Sequence, residues 1–339
     1  MSILVTLVSR VLGAEKAQAL VDTLYIHPAL LAEDGPRVSR AVMAQALNMV
    51  LFDDLLIRVP AAAAYIADKR KLGEKSVHDH GAVRTVDGPV TGALPRGQAA
   101  LVRLLTPLGY RQNGHYPLDR LKMTGRSYAQ VDFPEDIAQF FVSELHVDRF
   151  SPAFGQAVAN VLQDSVDPLD TTSAATLAAF EREGAVDLDA AVATLPVIAR
   201  CFDVHHPAPT LADYEVLKAE SAEMAWIATE GNAFNHATDR VPDVDALSAQ
   251  QKALGRPMKD LVEVSASGRV RQTAFRAAQV MRPFRDASGA LVQKEVPGSF
   301  YEFITRDQMT DETTGGKRLD LGFDSSNAQG IFKMTAAAQ

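Results

Sequence analysis

The stretch HGAVRTVDGP at residues 80–89 decides the fold class, because it interrupts a chain whose flanking segments are patterned as helices. Its β-branched residues are typical of a strand, and the closing Asp-Gly-Pro favours a turn. Before it, residues 14–24 and 38–57 carry apolar side chains at three- and four-residue spacing, which predicts helices. We therefore predict an N-terminal helical segment over residues 1–75, packed on a core that begins at residue 76.

The patterning beyond this strand predicts more helices and then more strands. A helical insertion is expected over about residues 134–230, since apolar positions there recur with helical spacing. From residue 261 the apolar period shifts towards two, with turn residues between the segments. Strands near residue 80 and after residue 235 predict an α+β fold, with helices grouped beside a bent mixed or antiparallel sheet and a core spanning residues 76–335.

The composition excludes several classes of protein. The 339 residues are 47% hydrophobic and 22% charged, which is typical of a globular chain and excludes disorder as the main state. A net charge of −8 lacks the basic character of a nucleic-acid binder. The most apolar N-terminal run, residues 3–8, is far shorter than the roughly 20 residues of a membrane helix. The single cysteine, Cys201, cannot form an intramolecular disulfide, so we expect a cytoplasmic protein. From the charge and the short apolar run, we expect no nucleic-acid or membrane partner.

Two histidines and one glutamate are candidates for a shared metal site. His80 lies early in the strand at residues 80–86, His236 follows a glycine-led entry into a predicted strand, and Glu302 lies between apolar residues on one strand face. A carboxylate on an inward strand face is costly to bury unless it is paired or bound to a metal. Two imidazoles and one carboxylate also form the facial ligand set of non-haem Fe(II) enzymes.

The spacing of these residues leaves other assignments open. An isolated histidine is more often a hydrogen-bonded structural residue than a ligand, and Glu302 could face solvent. No local ligand motif connects the three positions. The adjacent residues His78-Asp79-His80 could themselves supply two ligands of a different cluster.

Four blocks of sequence resemble a known family. They are DHGAVRT at residues 79–85, LKMTGRSY at 121–128, FPEDIAQFFVSELH at 133–146 and GNAFNH at 231–236. They resemble the 2-oxoadipate dioxygenase/decarboxylase family, which is related to the vicinal-oxygen-chelate (glyoxalase) superfamily. The resemblance covers most of residues 35–335. It implies a bent sheet of the vicinal-oxygen-chelate type that encloses a metal site.

The resemblance also implies an activity and its ligands. Members of the family hold a non-haem iron with two histidines and a glutamate, which fall on His80, His236 and Glu302 by motif. The implied cofactor is Fe(II), with Zn, Ni or Mn possible in the protein as purified. The implied partners are a 2-oxo dicarboxylic acid and O₂. The implied reaction converts 2-oxoadipate to 2-hydroxyglutarate and CO₂ in lysine breakdown.

Two arginines are candidates for binding the substrate. Arg84 matches the family's substrate-contacting arginine, and it lies four residues from His80, so the two Cα atoms should be about 13 Å apart. A planar, permanently charged guanidinium at that distance suits the far carboxylate of a six-carbon diacid. Arg126 is a second candidate for holding the anion, and a structural ion pair is the alternative role for it.

Two other functions remain open on the sequence, since a fold does not fix its chemistry. One is a glyoxalase-like lyase or isomerase that uses Zn²⁺, Ni²⁺ or Mn²⁺ without redox chemistry. The other is a non-enzymatic protein that binds a metal or a 2-oxo acid. Activity without oxygen would favour the first, and tight binding without oxygen uptake would favour the second.

Overall fold

The computed structural model describes residues 2–324 as a long sheet surrounded by helices. Its helices are α1 (Ile3–Leu12), α2 (Ala14–Thr23), α3 (Pro28–Ala32), α4 (Arg40–Arg58), α5 (Pro60–Lys71), α6 (Ala99–Leu105), α7 (Pro152–Leu162), α8 (Thr171–Glu183), α9 (Leu188–Arg200), α10 (Leu211–Glu220), α11 (Ala222–Glu230) and α12 (Val244–Ala253). Its strands are β1 (Arg37–Ser39), β2 (His78–Asp87), β3 (Tyr110–Leu118), β4 (Met123–Gln130), β5 (Gln139–His146), β6 (Ala185–Asp187), β7 (His236–Arg240), β8 (Glu263–Val264), β9 (Val270–Ala274), β10 (Gln279–Arg285), β11 (Leu291–Pro297), β12 (Phe300–Arg306), β13 (Gln308–Thr310) and β14 (Lys317–Leu319).

The main sheet has eight strands in the order β3-β4-β5-β2-β7-β12-β9-β8 and is curled into a half-barrel. It contains two units of the form βαβββ, namely β2-α6-β3-β4-β5 and β7-α12-β8-β9-β12, with the hairpin β10-β11 inserted in the second. In each unit the last strand pairs in parallel with the first. The antiparallel β2–β7 pair joins the units, so both first strands lie at the centre of the sheet. This confirms the predicted α+β class with a bent mixed sheet.

The N-terminal helices share a hydrophobic core with the sheet. Helix α4 begins where the Ser39 hydroxyl accepts a hydrogen bond from the Val42 amide at 3.2 Å, an N-cap contact. Most of its side chains are buried, and its Phe52 belongs to the same apolar cluster as Val83 of β2 and Phe303 of β12. No helix within residues 2–324 combines the length and the apolar character that crossing a membrane requires.

The helical insertion is shorter than the sequence predicts. Residues 139–146, inside the predicted insertion, form strand β5, and the helices α7–α11 begin only at Pro152. Strand β5 is buried along almost its whole length and pairs with β2 on one side and β4 on the other. A strand buried on both faces lacks the alternating pattern of a half-buried strand, so its apolar run also fits helical spacing. The assignment of helix to these residues was therefore wrong.

Gly81 allows the ring of Phe234 to pack directly against β2. A Cβ atom at position 81 would lie 1.8 Å from Phe234 Cζ, and the Phe234 side chain is fully buried. We expect Gly81→Ala to lower the free energy of unfolding by about 1–3 kcal/mol or more, because the overpacked ring cannot move into solvent. Equilibrium denaturation in urea measures this change.

A matched control for that substitution lies in helix α7. A Cβ atom at Gly155 would meet only Val147, at 3.7 Å, which is ordinary contact. Gly155→Ala should therefore be neutral or stabilising by up to about 1 kcal/mol, since alanine favours the helix. Equal losses of stability in the two variants would contradict the packing argument.

Candidate metal centre

Three side chains converge where the two units of the sheet meet. His80 comes from β2, His236 from β7 and Glu302 from β12, and one ligand atom of each lies within 4.8 Å of the others. All three are buried, with 2%, 4% and 1% of their surface exposed. The strand register brings them together, because Ala82 of β2 and Phe300 of β12 both lie opposite His236. The structure thus groups the three residues that the sequence singled out.

Each imidazole is oriented by the residue that precedes it. His80 Nδ1 lies 2.8 Å from Asp79 Oδ1, and His236 Nδ1 lies 2.7 Å from Asn235 Oδ1. Carboxylate and amide oxygens only accept hydrogen bonds, so Nδ1 carries the proton in both rings. This leaves the Nε2 lone pair of each ring for the centre, the arrangement found around metal-binding histidines.

Two of the three grouped residues have buried ligand atoms without a hydrogen-bond partner, which a bound cation would satisfy. Among the described residues, His236 Nε2 and both carboxylate oxygens of Glu302 are buried without a hydrogen bond, and His236 Nε2 lies 3.5 Å from Glu302 Oε2. The hydroxyl of Thr238 lies 3.1 Å from His80 Nε2. Burial raises the pKa of Glu302 to about 8 and lowers the pKa of His236 well below its usual range. One carboxylate beside two neutral imidazoles fits a divalent transition-metal ion.

The Asp79 carboxylate behind His80 is held as an anion. Arg306 Nε lies 3.0 Å from each of its oxygens, and Arg240 Nη1 lies 3.7 Å from Oδ2. Burial alone would raise the pKa of Asp79, but Arg306 and the hydrogen bond from His80 outweigh it, and the pKa is lowered. A permanent negative charge therefore supports the Nδ1 proton of His80 and makes its Nε2 a better donor to a metal.

A second group of possible ligands on the same sheet has a different character. Asp87, Glu144 and His146 also bring ligand atoms within 4.8 Å of one another. Here Arg96 pairs with Asp87, Arg126 Nη1 lies 3.0 Å from Glu144 Oε1, and His146 Nδ1 lies 3.0 Å from Asp87 Oδ2. Side chains of the protein already neutralise both carboxylates, so the group needs no cation. Arg126 forms the structural ion pair that the sequence offered as one of its two roles, and substrate binding by Arg126 stays a prediction.

A small cavity is lined by both histidines of the group, His80 and His236. Arg84 is fully buried on its wall, and its guanidinium carbon lies 4.6 Å from the centre of the Trp226 ring. Burial lowers the pKa of Arg84 to about 10, so it remains a cation at neutral pH. The described residues that line the cavity are His80, Ala82, Arg84, Phe141, Ser143, Asn235, His236, Gln272, Phe323 and Asp324. The shared face of His80 and Arg84 along β2 is therefore turned towards this cavity.

Four further residues near the site have positions that the sequence alone does not predict. His78 is not grouped with the centre, and its ring lies 5.4 Å from that of Phe52 and 6.1 Å from that of Phe234. The sequence offers Asp79 only as an alternative ligand and assigns no role to Asn235, although an oxygen-bearing side chain directly before each histidine is a signal for both. Phe323, which packs on His80, has no local signal because their contact joins distant parts of the chain.

Comparisons with known proteins place the chain in a family. The family model for 2-oxoadipate dioxygenase/decarboxylase matches residues 49–328. A search of curated proteins gives no match. Among solved structures, a glyoxalase-superfamily protein from Ralstonia eutropha JMP134 is 54% identical with a TM-score of 0.88, and the alignment covers 96% of this chain and 99% of that chain.

Two further structures share the fold at lower identity. The hydroxyglutarate synthase of Oryza sativa, in complex with 2-oxoadipate, is 21% identical with a TM-score of 0.67, and the match covers 90% of this chain and 97% of that chain. The hydroxyglutarate synthase of Pseudomonas putida is 19% identical with a TM-score of 0.61, and covers 90% and 76% respectively. The family match spans most of the sequence and includes all three grouped residues. The chain belongs to the 2-oxoadipate dioxygenase/decarboxylase family.

Proposed function

We propose that this protein is an Fe(II)-dependent oxygenase that converts 2-oxoadipate and O₂ to 2-hydroxyglutarate and CO₂, as a step of lysine breakdown. The observation that carries the proposal is the convergence of His80, His236 and Glu302 beside a cavity that also contains the buried cation Arg84. Family membership supports the class of substrate. The hydroxyglutarate synthases of Oryza sativa and Pseudomonas putida, which share the fold, have each been crystallised with 2-oxoadipate.

The proposed reaction balances without another co-reactant. The bond between C1 and C2 of 2-oxoadipate breaks, and C1 leaves as CO₂. C2 becomes the new carboxylate carbon, and C3 exchanges a C–H bond for a C–OH bond. Both atoms of O₂ enter the five-carbon product, one in its new carboxylate and one in its hydroxyl. The four electrons that reduce O₂ come from these two oxidations of the substrate.

The residues of the chain would hold the metal and position the substrate. His80, His236 and Glu302 would hold the ion, while Asp79 and Asn235 keep the Nδ1 protons of the imidazoles turned away from it. Fe(II), when bound, supplies open positions for a 2-oxo acid and O₂ and the electron transfer between them.

Arg84 and the cavity walls would determine how the acid lies. The Arg84 guanidinium is charged at neutral pH and buried, so it would bind the far carboxylate of a dicarboxylic acid strongly. The rings of Phe141 and Phe323 form apolar walls that limit the access of water. The protein's net charge of −8 should repel a dianionic substrate in the cavity only weakly, because salt screens charges that lie more than about 8 Å away.

Anaerobic reconstitution tests this proposal. Protein loaded with Fe(II) should consume O₂ and release CO₂ in equal amounts when 2-oxoadipate is added, while zinc-loaded protein does neither. With ¹⁸O₂, the 2-hydroxyglutarate should carry two labelled oxygens and the CO₂ none. Turnover without oxygen would instead support the glyoxalase-like lyase or isomerase, and binding of 2-oxoadipate to the iron-loaded protein without oxygen uptake would support a binding protein.

A further inference from the structure

The residues that follow β14 cross the open side of the sheet. Residues 320–324 are termed here the C-terminal strap. The amide of Phe323 donates to the Tyr116 hydroxyl at 3.2 Å, and Asp324 Oδ2 accepts from the amide of Ala266 at 2.6 Å. Tyr116 belongs to β3 and Ala266 follows β8, and these are the two edge strands of the sheet. The strap is thus hydrogen-bonded at both edges of the sheet, and its Phe323 ring packs on His80 of the metal centre.

The ring of Phe323 fills space in the cavity beside the centre. Its centroid lies 4.7 Å from that of His80, at an interplanar angle of 87°, and 5.0 Å from that of Phe141. The remaining space is about 30 Å³. That volume holds about two water molecules, whereas pockets for small-molecule ligands measure about 300–1,000 Å³. A six-carbon acid therefore needs more space beside His80 than this cavity offers, and movement of the Phe323 ring with the strap would provide it.

Arg306 connects the strap to the residue that orients His80. Its Nη1 donates to the carbonyl oxygens of Asp320 at 2.8 Å and Gly322 at 2.7 Å. Its Nε and Nη2 lie 3.0 Å and 2.9 Å from the Asp79 carboxylate, which in turn holds the His80 Nδ1 proton. The Arg306 side chain is fully buried. One guanidinium therefore divides its hydrogen bonds between the strap backbone and the support of the metal ligand.

We propose that Arg306 is a positioning residue that couples seating of the strap to metal binding at His80. The inference rests on the metal centre of the proposed function. With the strap seated, two carbonyls fix Arg306, Arg306 fixes Asp79, and Asp79 fixes the His80 ring with Nε2 towards the centre. When the strap leaves to admit an acid, Arg306 loses those two acceptors and this support loosens. Linkage makes this coupling reciprocal. If seating of the strap raises the affinity for the metal by some factor, a bound metal raises the equilibrium constant for strap seating by the same factor.

Hydrogen exchange of the full-length chain with and without Zn²⁺ measures the first half of this coupling. We expect Zn²⁺ to slow exchange of the strap amides about tenfold, which is within the usual range of coupling between sites. Strap exchange that is the same with and without bound Zn²⁺ would overturn the proposal. This measurement needs no substitution, so it does not depend on whether a variant folds.

The Arg306→Met variant measures the second half, with Co²⁺ as a spectroscopic probe. We expect its dissociation constant for Co²⁺ to rise about 10–100-fold and the visible absorption of the bound ion to change, as for other supporting partners of metal ligands. Metal should also no longer slow strap exchange. Arg276→Met is the matched control, because Arg276 is an exposed residue paired with Asp260 at 3.0 Å and contacts neither the strap nor Asp79. Wild-type Co²⁺ affinity and spectrum in folded Arg306→Met would overturn the proposal.

Phe323→Ala tests the coupling without removing a partner of Asp79. Loss of the ring should speed strap exchange and, by reciprocity, weaken Co²⁺ binding several-fold. Faster strap exchange with unchanged Co²⁺ affinity would contradict the coupling. None of these measurements uses a 2-oxo acid or O₂, so a failure of the oxygenase activity would leave them unaffected. If the wild-type protein bound no Co²⁺, the metal centre itself would be refuted.

Discussion

The Glu302→Ala variant is expected to lose its metal ion, and its rate of oxygen uptake should fall more than about 100-fold. This loss exceeds the roughly 10–100-fold loss that follows removal of a residue that only supports a metal ligand. Glu302 is the one grouped residue that can give a negative charge to a bound ion, so its removal leaves two neutral imidazoles facing the centre. Imidazoles alone offer no charge to balance a divalent ion in a buried site. Elemental analysis after dialysis, paired with oxygen-electrode assays, measures both effects.

The matched control for that variant is Glu263→Ala. Glu263 lies on β8 and pairs with Lys259, and its charge acts on Glu302 without belonging to the grouped residues. This variant should keep its metal ion and its activity. Because Glu302 is buried without a hydrogen-bond partner among the described residues, the metal-free Glu302→Ala protein should remain folded by circular dichroism. Retention of a stoichiometric metal ion by Glu302→Ala would contradict the assignment.

The Arg84→Met variant is expected to raise the KM for 2-oxoadipate about 100-fold while its metal content stays unchanged. Loss of a buried guanidinium that binds a carboxylate weakens binding by several kcal/mol, and methionine fills the space without the charge. Arg84→Lys should recover only part of the loss, since an ammonium group cannot bind both carboxylate oxygens in one plane. Steady-state kinetics with oxygen detection measure these values.

A monocarboxylic substrate provides the control for Arg84. 2-Oxohexanoate has the same chain length but lacks the far carboxylate, so its KM should change little between the wild-type protein and Arg84→Met. An equal loss for both acids would mean that Arg84 supports the fold of the cavity instead of binding the far end of the substrate. The ratio of the two effects, and not either value alone, therefore tests the proposed role.

The sequence predicted most of the elements that build the sheet. Strand β2 was recognisable because β-branched residues and a turn follow His80, and the strands after residue 261 were recognisable from their period of two. Strand β5 was not, because residues 139–146 are buried on both faces and carry no alternation. The pairing of β2 with β7, which joins the two units, depends on contacts across more than 150 residues of sequence and has no local signal.

The candidate site was predictable to a different extent. His80 and Arg84 share a strand face, which alternation along a strand predicts, and both line the cavity. The convergence of His236 and Glu302 on His80 required the family resemblance, since spacing alone left His78 and a solvent-facing glutamate as alternatives. The strap could not be foreseen, because Arg306 and Phe323 reach Asp79 and His80 only through the tertiary fold.

The claim that three residues from two halves of the sheet bind one ion is tested most directly by anomalous diffraction from crystals grown with Zn²⁺, a stable substitute for Fe(II). We predict a peak at the zinc edge about 2.0–2.2 Å from His80 Nε2, His236 Nε2 and a carboxylate oxygen of Glu302. A fully loaded crystal with no peak there, or with its peak at Asp87, Glu144 and His146, would contradict the account.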